Sequence, residues 1–298
     1  MEGLVFEELI YDSAVLGAAV LAALGLLLFW WRASQRRAAA RQREASRFDA
    51  ALLQSGAPPQ LAHLSPEQQQ RWQRQCARFL REKRFIGCAG LVVSEAQRHC
   101  IAGMACLLRV QAGADDEPLF PTVHEVLLYP GAFLVPPVRE AIADDGLELV
   151  DDEPDERIGE QGPGQVVLSW KDVEAAMAGD AVHVVIHEFA HALDSENPET
   201  EGAPPLADYR EWSAVMAAEF ARLQRHRRPP VLDPYGATAP AEFWCVVAEA
   251  FFQRPEALAR HHAALYALVA AYLQWNPLGT AAAPLGPAPA DNLAAPES

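Results

Sequence analysis

The chain has 298 residues, 51% of them hydrophobic, and a formal net charge of -16 at pH 7. That length and composition allow a core of ordinary single-domain size, while so acidic a balance argues against direct binding of nucleic acid. Cys76, Cys88, Cys100, Cys106 and Cys245 form an odd set with no CxxC pair, as expected of free thiols in a reducing compartment rather than a disulfide framework.

Residues 1–12 carry Glu2, Glu7, Glu8 and Asp12 and read as a short extracytoplasmic N-terminus. Residues 13–31 are an uncharged apolar run ending in Trp30-Trp31, long enough to cross a bilayer core of about 30 Å. Arg32, Arg36, Arg37, Arg41 and Arg43 follow at once, so the positive-inside rule places the rest of the chain in the cytoplasm of a single-pass bacterial inner-membrane protein. A cleaved signal peptide would need a basic stretch before the run and a small-residue site after it. A buried soluble helix would not need the charge asymmetry. Residues 32–64 are an Ala/Arg/Gln-rich stalk or linker, and a globular domain is expected over 65–278.

Within it, Ser65 and Pro66 start a helix that runs through Trp72, Cys76, Phe79 and Leu80. Gly87 to Val93 reads as a turn and short strand, and Ser94-Glu95 caps a helix carrying Ile101, Met104, Ala105, Leu107 and Leu108. Val123–Tyr129 and Ala132–Val135 read as strands closed by prolines. The acidic block from Asp144 to Glu160 is a solvated loop or hairpin edge, without the spaced oxygen ligands of a calcium site. Gln165–Trp170 is a strand just ahead of the next helix, expected at the sheet edge, where an extended peptide could pair.

That next helix, over 182–194, contains His187-Glu188-Phe189-Ala190-His191. Residues four apart share a helix face, so His187 and His191 can present imidazole nitrogens to one metal ion. Glu188 lies beside the same ion, placed to take a proton from water. Val184, Val185, Ile186, Ala190, Ala192 and Leu193 make the segment a buried helix, and two buried histidines with a glutamate need partners. His183 shares the face and reads as a core-edge or supporting histidine, because three histidines of one helix rarely converge on one tetrahedral ion. A Pro- and acid-rich loop over 196–207, a helix over Tyr209–Arg225 and an apolar helix from Pro240 follow. His261–Trp275 is a last amphipathic helix, and 279–298 an Ala/Pro-rich tail of disordered composition.

A catalytic zinc site takes a third protein ligand and keeps a position open. Glu242 and Glu249, seven residues apart on the helix from Pro240, share one face. Either could coordinate while the other orients a ligating imidazole. Tyr235, shortly before that helix, could reach a substrate carbonyl oxygen or simply pack.

The chain resembles the Mlc titration factor A family of bacterial zinc peptidases, whose catalytic domain is similar to that of anthrax lethal factor. The resemblance is carried by Phe79–Lys83, Ile101–Leu108, Val166–Trp170, His187–Asp194, Asp233–Tyr235 and Ala241–Phe243. It implies zinc held by His187, His191 and Glu242, with Glu188 as general base and Tyr235 on the oxyanion side, because the family's Tyr and ligand Glu are seven residues apart. Asp194 would then support a ligating histidine. It further implies aminopeptidase-type activity on peptides and binding to an Mlc-like repressor; the family's better-known members lack the membrane segment.

The expected fold is thus α+β and mainly helical, a gluzincin-like zincin domain with a small sheet beside the HExxH helix, behind one transmembrane helix. The alternative is a regulator that sequesters a transcription factor without catalysis. An intact Glu188 favours the enzyme.

Overall fold

In the computed structural model of the chain, the described residues are 59–111, 119–135, 155–157, 159–162, 164–179, 182–196, 200–225 and 231–279. The expected membrane segment over 13–31, most of the stalk and nearly all of the tail lie outside them. Among the described residues, no helix is long and apolar enough to cross a membrane.

After a 3₁₀ turn over Pro59–His63, helix α1 spans Pro66–Glu82. Its start follows from local chemistry: Ser65 accepts the Gln68 amide, the Gln68 side chain accepts the Ser65 amide, and Pro66 fills the first turn. Lys83 ends it, with a buried ammonium that donates to the carbonyls of Phe120 (2.9 Å) and Val123 (2.7 Å). Strand β1 is Arg84–Gly87, earlier than the predicted strand over 87–93, where Val92 is exposed instead. Helix α2, Glu95–Ala105, has its own capping box on Ser94 and Gln97 and runs into a 3₁₀ turn, Cys106–Arg109.

Strand β2 is Val123–Tyr129, and β3 (Phe133–Val135) pairs antiparallel with β4 (Asp155–Arg157). Strand β5, Gly159–Gly162, precedes β6, Gly164–Ser169. Then come α3 (Trp170–Met177), α4 (Val184–Asp194) and α5 (Arg210–Arg225). A 3₁₀ turn at Pro234–Ala237 leads to α6 (Pro240–Gln253), α7 (Pro255–His261) and α8 (Ala263–Leu273).

The main sheet has the order β1-β2-β6-β5, with β1, β2 and β6 parallel and β5 antiparallel to β6. This corrects the expectation that Gln165–Trp170 lies at the edge. Strand β6 is interior, which its buried run Val166-Val167-Leu168 suits. The edges among the described residues are β1 and β5, the latter drawn from the end of the acidic block. Trp170 does not continue the strand but opens α3, capped by Ser169.

Helix α4 is the centre of the core. Phe189 meets Phe79 and Phe120 edge-on, with centroids 5.4 and 4.8 Å away. On its other side α4 packs against α6, where Trp244 donates its indole N–H to the Ala190 carbonyl at 3.1 Å. The mainly helical architecture with a small sheet beside α4 agrees with the expected fold.

Candidate metal centre

His183 is the N-cap of α4, its Nδ1 accepting the Ile186 amide at 3.4 Å. It is buried, and burial pulls its pKa down to about 4, so the ring is neutral at pH 7. As expected, it is not a member of the donor cluster.

One turn on, His187 and His191 project from α4 together, ring centroids 4.9 Å apart. Helix α6 crosses this face and delivers Glu242: its Oε2 lies 3.1 Å from His187 Nε2 and 3.4 Å from His191 Nε2. These are ion-pair distances without hydrogen-bond angles, and Oε2 is buried with no hydrogen-bond partner. Two imidazole nitrogens and a carboxylate oxygen therefore face one another, a cluster that a metal cation, or a proton in its absence, can satisfy. Burial would raise the Glu242 pKa, but the two imidazoles outweigh it and hold the carboxylate well below its usual range.

Glu249, two turns along α6, takes the other part. Its Oε1 lies 2.8 Å from His187 Nδ1, and its Oε2 accepts the His183 backbone N–H at 2.5 Å. Bonding at Nδ1 fixes the ring so that Nε2 points at the donor cluster. Without a cation, His187 is a proton site. Burial disfavours its charged form, yet Glu242 and Glu249 overcome that and raise its pKa to about 10.

Glu188 is 5% exposed, on the flank of α4 turned toward β5. Burial pushes its pKa up to about 7, with the imidazoles of His187 and His191 pulling the other way. A carboxyl group so placed exchanges protons near neutral pH. Tyr235 stands on the 3₁₀ turn before α6, where Asp233 accepts its backbone N–H at 2.8 Å. The turn is seated on α6, because a Cβ at Gly236 would come 3.1 Å from Val246 Cβ. Tyr235 is 55% exposed, and its ring lies 6.3 Å from the His187 ring.

Asp194 accepts the Ala203 amide at 2.9 Å and so ties down the following loop, while Glu249 engages the His187 ring. Cys245, read from the sequence only as a free thiol, lies one turn past Glu242, its sulfur and the two imidazoles offering ligand atoms within 4.8 Å of one another. Burial first, then the carboxylates of Glu242, Glu188 and Glu249, push its thiol well above the ordinary range. The Glu242 oxygen, 3.1 and 3.4 Å from the two imidazole nitrogens, is the other candidate for a third donor. The position of Cys245 three residues after Glu242 was the available signal.

The residues of this cluster lie within the region, 29–274, that matches the model of the glucose-regulated metallo-peptidase M90 family. The chain is 36% identical over 230 residues to slr2042, an uncharacterized protein of Synechocystis, covering 74% of this chain and 81% of that one. It is 34% identical over 236 residues to Mlc titration factor A of Klebsiella pneumoniae strain 342, covering 76% and 86%. Against Mlc titration factor A of Cronobacter sakazakii the identity is 32% over 231 residues, 74% and 84% of the two chains. A metallopeptidase family implies a metal ion, and the acceptor cluster between α4 and α6 suits one. With relatives this similar along most of its length, the chain belongs to the glucose-regulated metallo-peptidase M90 family, that of Mlc titration factor A.

Proposed function

We propose that the protein is a zinc-dependent peptidase, with His187, His191 and Glu242 as the zinc ligands. The observation that carries this reading is the buried, unpartnered Oε2 of Glu242 facing two imidazole nitrogens. Two imidazoles and one carboxylate, with a side left open, are the donor set of a catalytic zinc site. Zinc bound there would lower the pKa of a water molecule and polarise the scissile carbonyl.

The chain's own residues do the rest. Glu188 takes a proton from the attacking water and returns it to the departing amine, for which a pKa near neutrality is suited. Tyr235 offers its phenol O–H to the carbonyl oxygen as negative charge develops there. Glu249 keeps His187 in one tautomer and one orientation. Along β5, the edge strand that packs beside α4, an extended peptide can pair.

An aminopeptidase-type substrate preference is part of the proposal, supported by the family resemblance. So is a repressor partner: the relatives' printed name, Mlc titration factor A, speaks for binding of an Mlc-like protein. The deciding experiment is metal analysis of the purified protein together with peptide hydrolysis, with and without chelator. One zinc per chain and hydrolysis that a chelator abolishes are expected; a protein that binds no metal, or hydrolyses equally well without it, overturns the reading.

A further inference from the structure

Strand β5 begins with a glycine where a strand gains nothing from one, since glycine weakens strands and offers no side chain to pack. Gly159 is not among the positive-φ residues, so its backbone does not require glycine. What excludes a side chain is its neighbour. A Cβ at Gly159 would lie 2.9 Å from Cδ of Glu188, closer still to Oε1, and 2.7 Å from Cγ2 of Val184. Real Cβ atoms essentially never come that near.

The backbones on both sides are held, so it is the side chains that would have to yield. Gly159 is paired with Leu168 of β6, itself fully buried between β5 and β2. Val184 and Glu188 stand one turn apart on α4, whose opposite flank is locked by Phe79 and Phe120 around Phe189. The Glu188 carboxylate is thus wedged between a fixed helix and a bare stretch of strand.

We infer that Gly159 is a positioning residue for the peptidase reaction: its missing side chain is the socket that holds the Glu188 carboxylate in its working rotamer. This rests on the reading of Glu188 as general base, and it adds the strand as the element that aims it. Displacement of a reacting group by about 1 Å can cost on the order of 10²-fold in rate.

The test uses Gly159→Ala, Glu188→Asp and the double variant in the purified protein. Gly159→Ala is expected to keep stoichiometric zinc, lose roughly 10²-fold in kcat and change KM little. It is also expected to melt at a lower temperature. Glu188→Asp withdraws the carboxylate by one carbon–carbon bond, about 1.5 Å, which opens room for the alanine methyl. The double variant should therefore melt above Gly159→Ala, although Glu188→Asp alone gains nothing. If Gly159→Ala does not fold, the double variant is expected to fold in its place.

Two results overturn the inference: a Gly159→Ala protein with unaltered kcat and melting, or a melting loss relieved by Val184→Ala but not by Glu188→Asp. The second would make the position one of core packing alone. Melting is read on metal-free protein as well as loaded protein. A complete lack of hydrolysis in the unaltered chain would therefore count against the peptidase reading and leave the socket to be decided by melting.

Discussion

Glu242 and Glu249 show how two identical side chains on one helix face divide the labour. Their spacing along the helix made both plausible ligands, and only the family resemblance, through the distance from Tyr235, chose Glu242, because depth was missing. The structure supplies it: Glu249 is 6% exposed with both oxygens engaged, whereas Glu242 keeps a buried oxygen without a partner. Glu242→Ala should thus remove a ligand and abolish stoichiometric zinc binding. Glu249→Ala should weaken it about 10–100-fold, the usual cost of losing an orienting partner; calorimetric titration with zinc distinguishes them, and equal losses would contradict the assignment. Glu188→Gln keeps its shape but cannot accept the proton, so it should retain zinc by elemental analysis while hydrolysis disappears. Tyr235→Phe should likewise retain zinc and slow turnover by about 10²–10³-fold, if the phenol stabilises the oxyanion.

At the scale of elements, α4 and its partner α6 form a sandwich of titrating groups whose stability responds to pH. In the metal-free protein the His187 pKa is raised from 6.5 to about 10 and that of Glu188 from 4.5 to about 7. A raised pKa means that the folded state holds the proton more tightly. The His187 contribution is then complete below 6.5 and lost as the pH climbs toward 10, and that of Glu188 is lost between 4.5 and 7. Glu242, with a depressed pKa, contributes in the opposite sense, and only as acid conditions are approached. The melting temperature of metal-free protein should therefore fall steadily from about pH 6 to pH 10. Zinc bound by His187 would replace that proton, so loaded protein should be spared that decline, and zinc affinity should rise with pH. A flat profile for the metal-free form, followed by scanning calorimetry, would show that His187 is not held between the two carboxylates.

The same scale shows what was legible beforehand. Helices α1 and α2 announced themselves through Ser65 and Ser94 with their glutamines, because a capping box is local chemistry. Strand β5 was hidden: Gly159-Glu160-Gln161-Gly162 has no apolar alternation, being an edge defined by its partner β6 rather than by its own residues. Helix α3 was hidden because Ser169 is both the last residue of β6 and the cap of the helix. The end of α6 at Gln253 was legible, but the short helix α7, Pro255–His261, between it and the last helix was not.

At the scale of the whole molecule, the open matter is where the domain works. The apolar run over 13–31 and the arginines after it lie outside the described residues but motivate a single-pass anchor with the domain in the cytoplasm. The full chain should sediment with membranes, and a version starting near Ala45 should be soluble; full-length protein recovered in the supernatant without detergent would sink the anchor. Were it to hold, a peptidase fixed at the inner face of the membrane would meet its substrates in a layer rather than in the whole cytoplasm. The tie made by Glu249 matters more widely still. Its two oxygens hold the His187 ring and the backbone N–H of His183, the cap of the motif helix, at once. For that imidazole to swing off the ion, it must leave a buried carboxylate that is itself anchored to the helix start. The consequence is kinetic: a bound ion should have a long residence time, and the affinity lost in Glu249→Ala should appear chiefly as a faster off-rate.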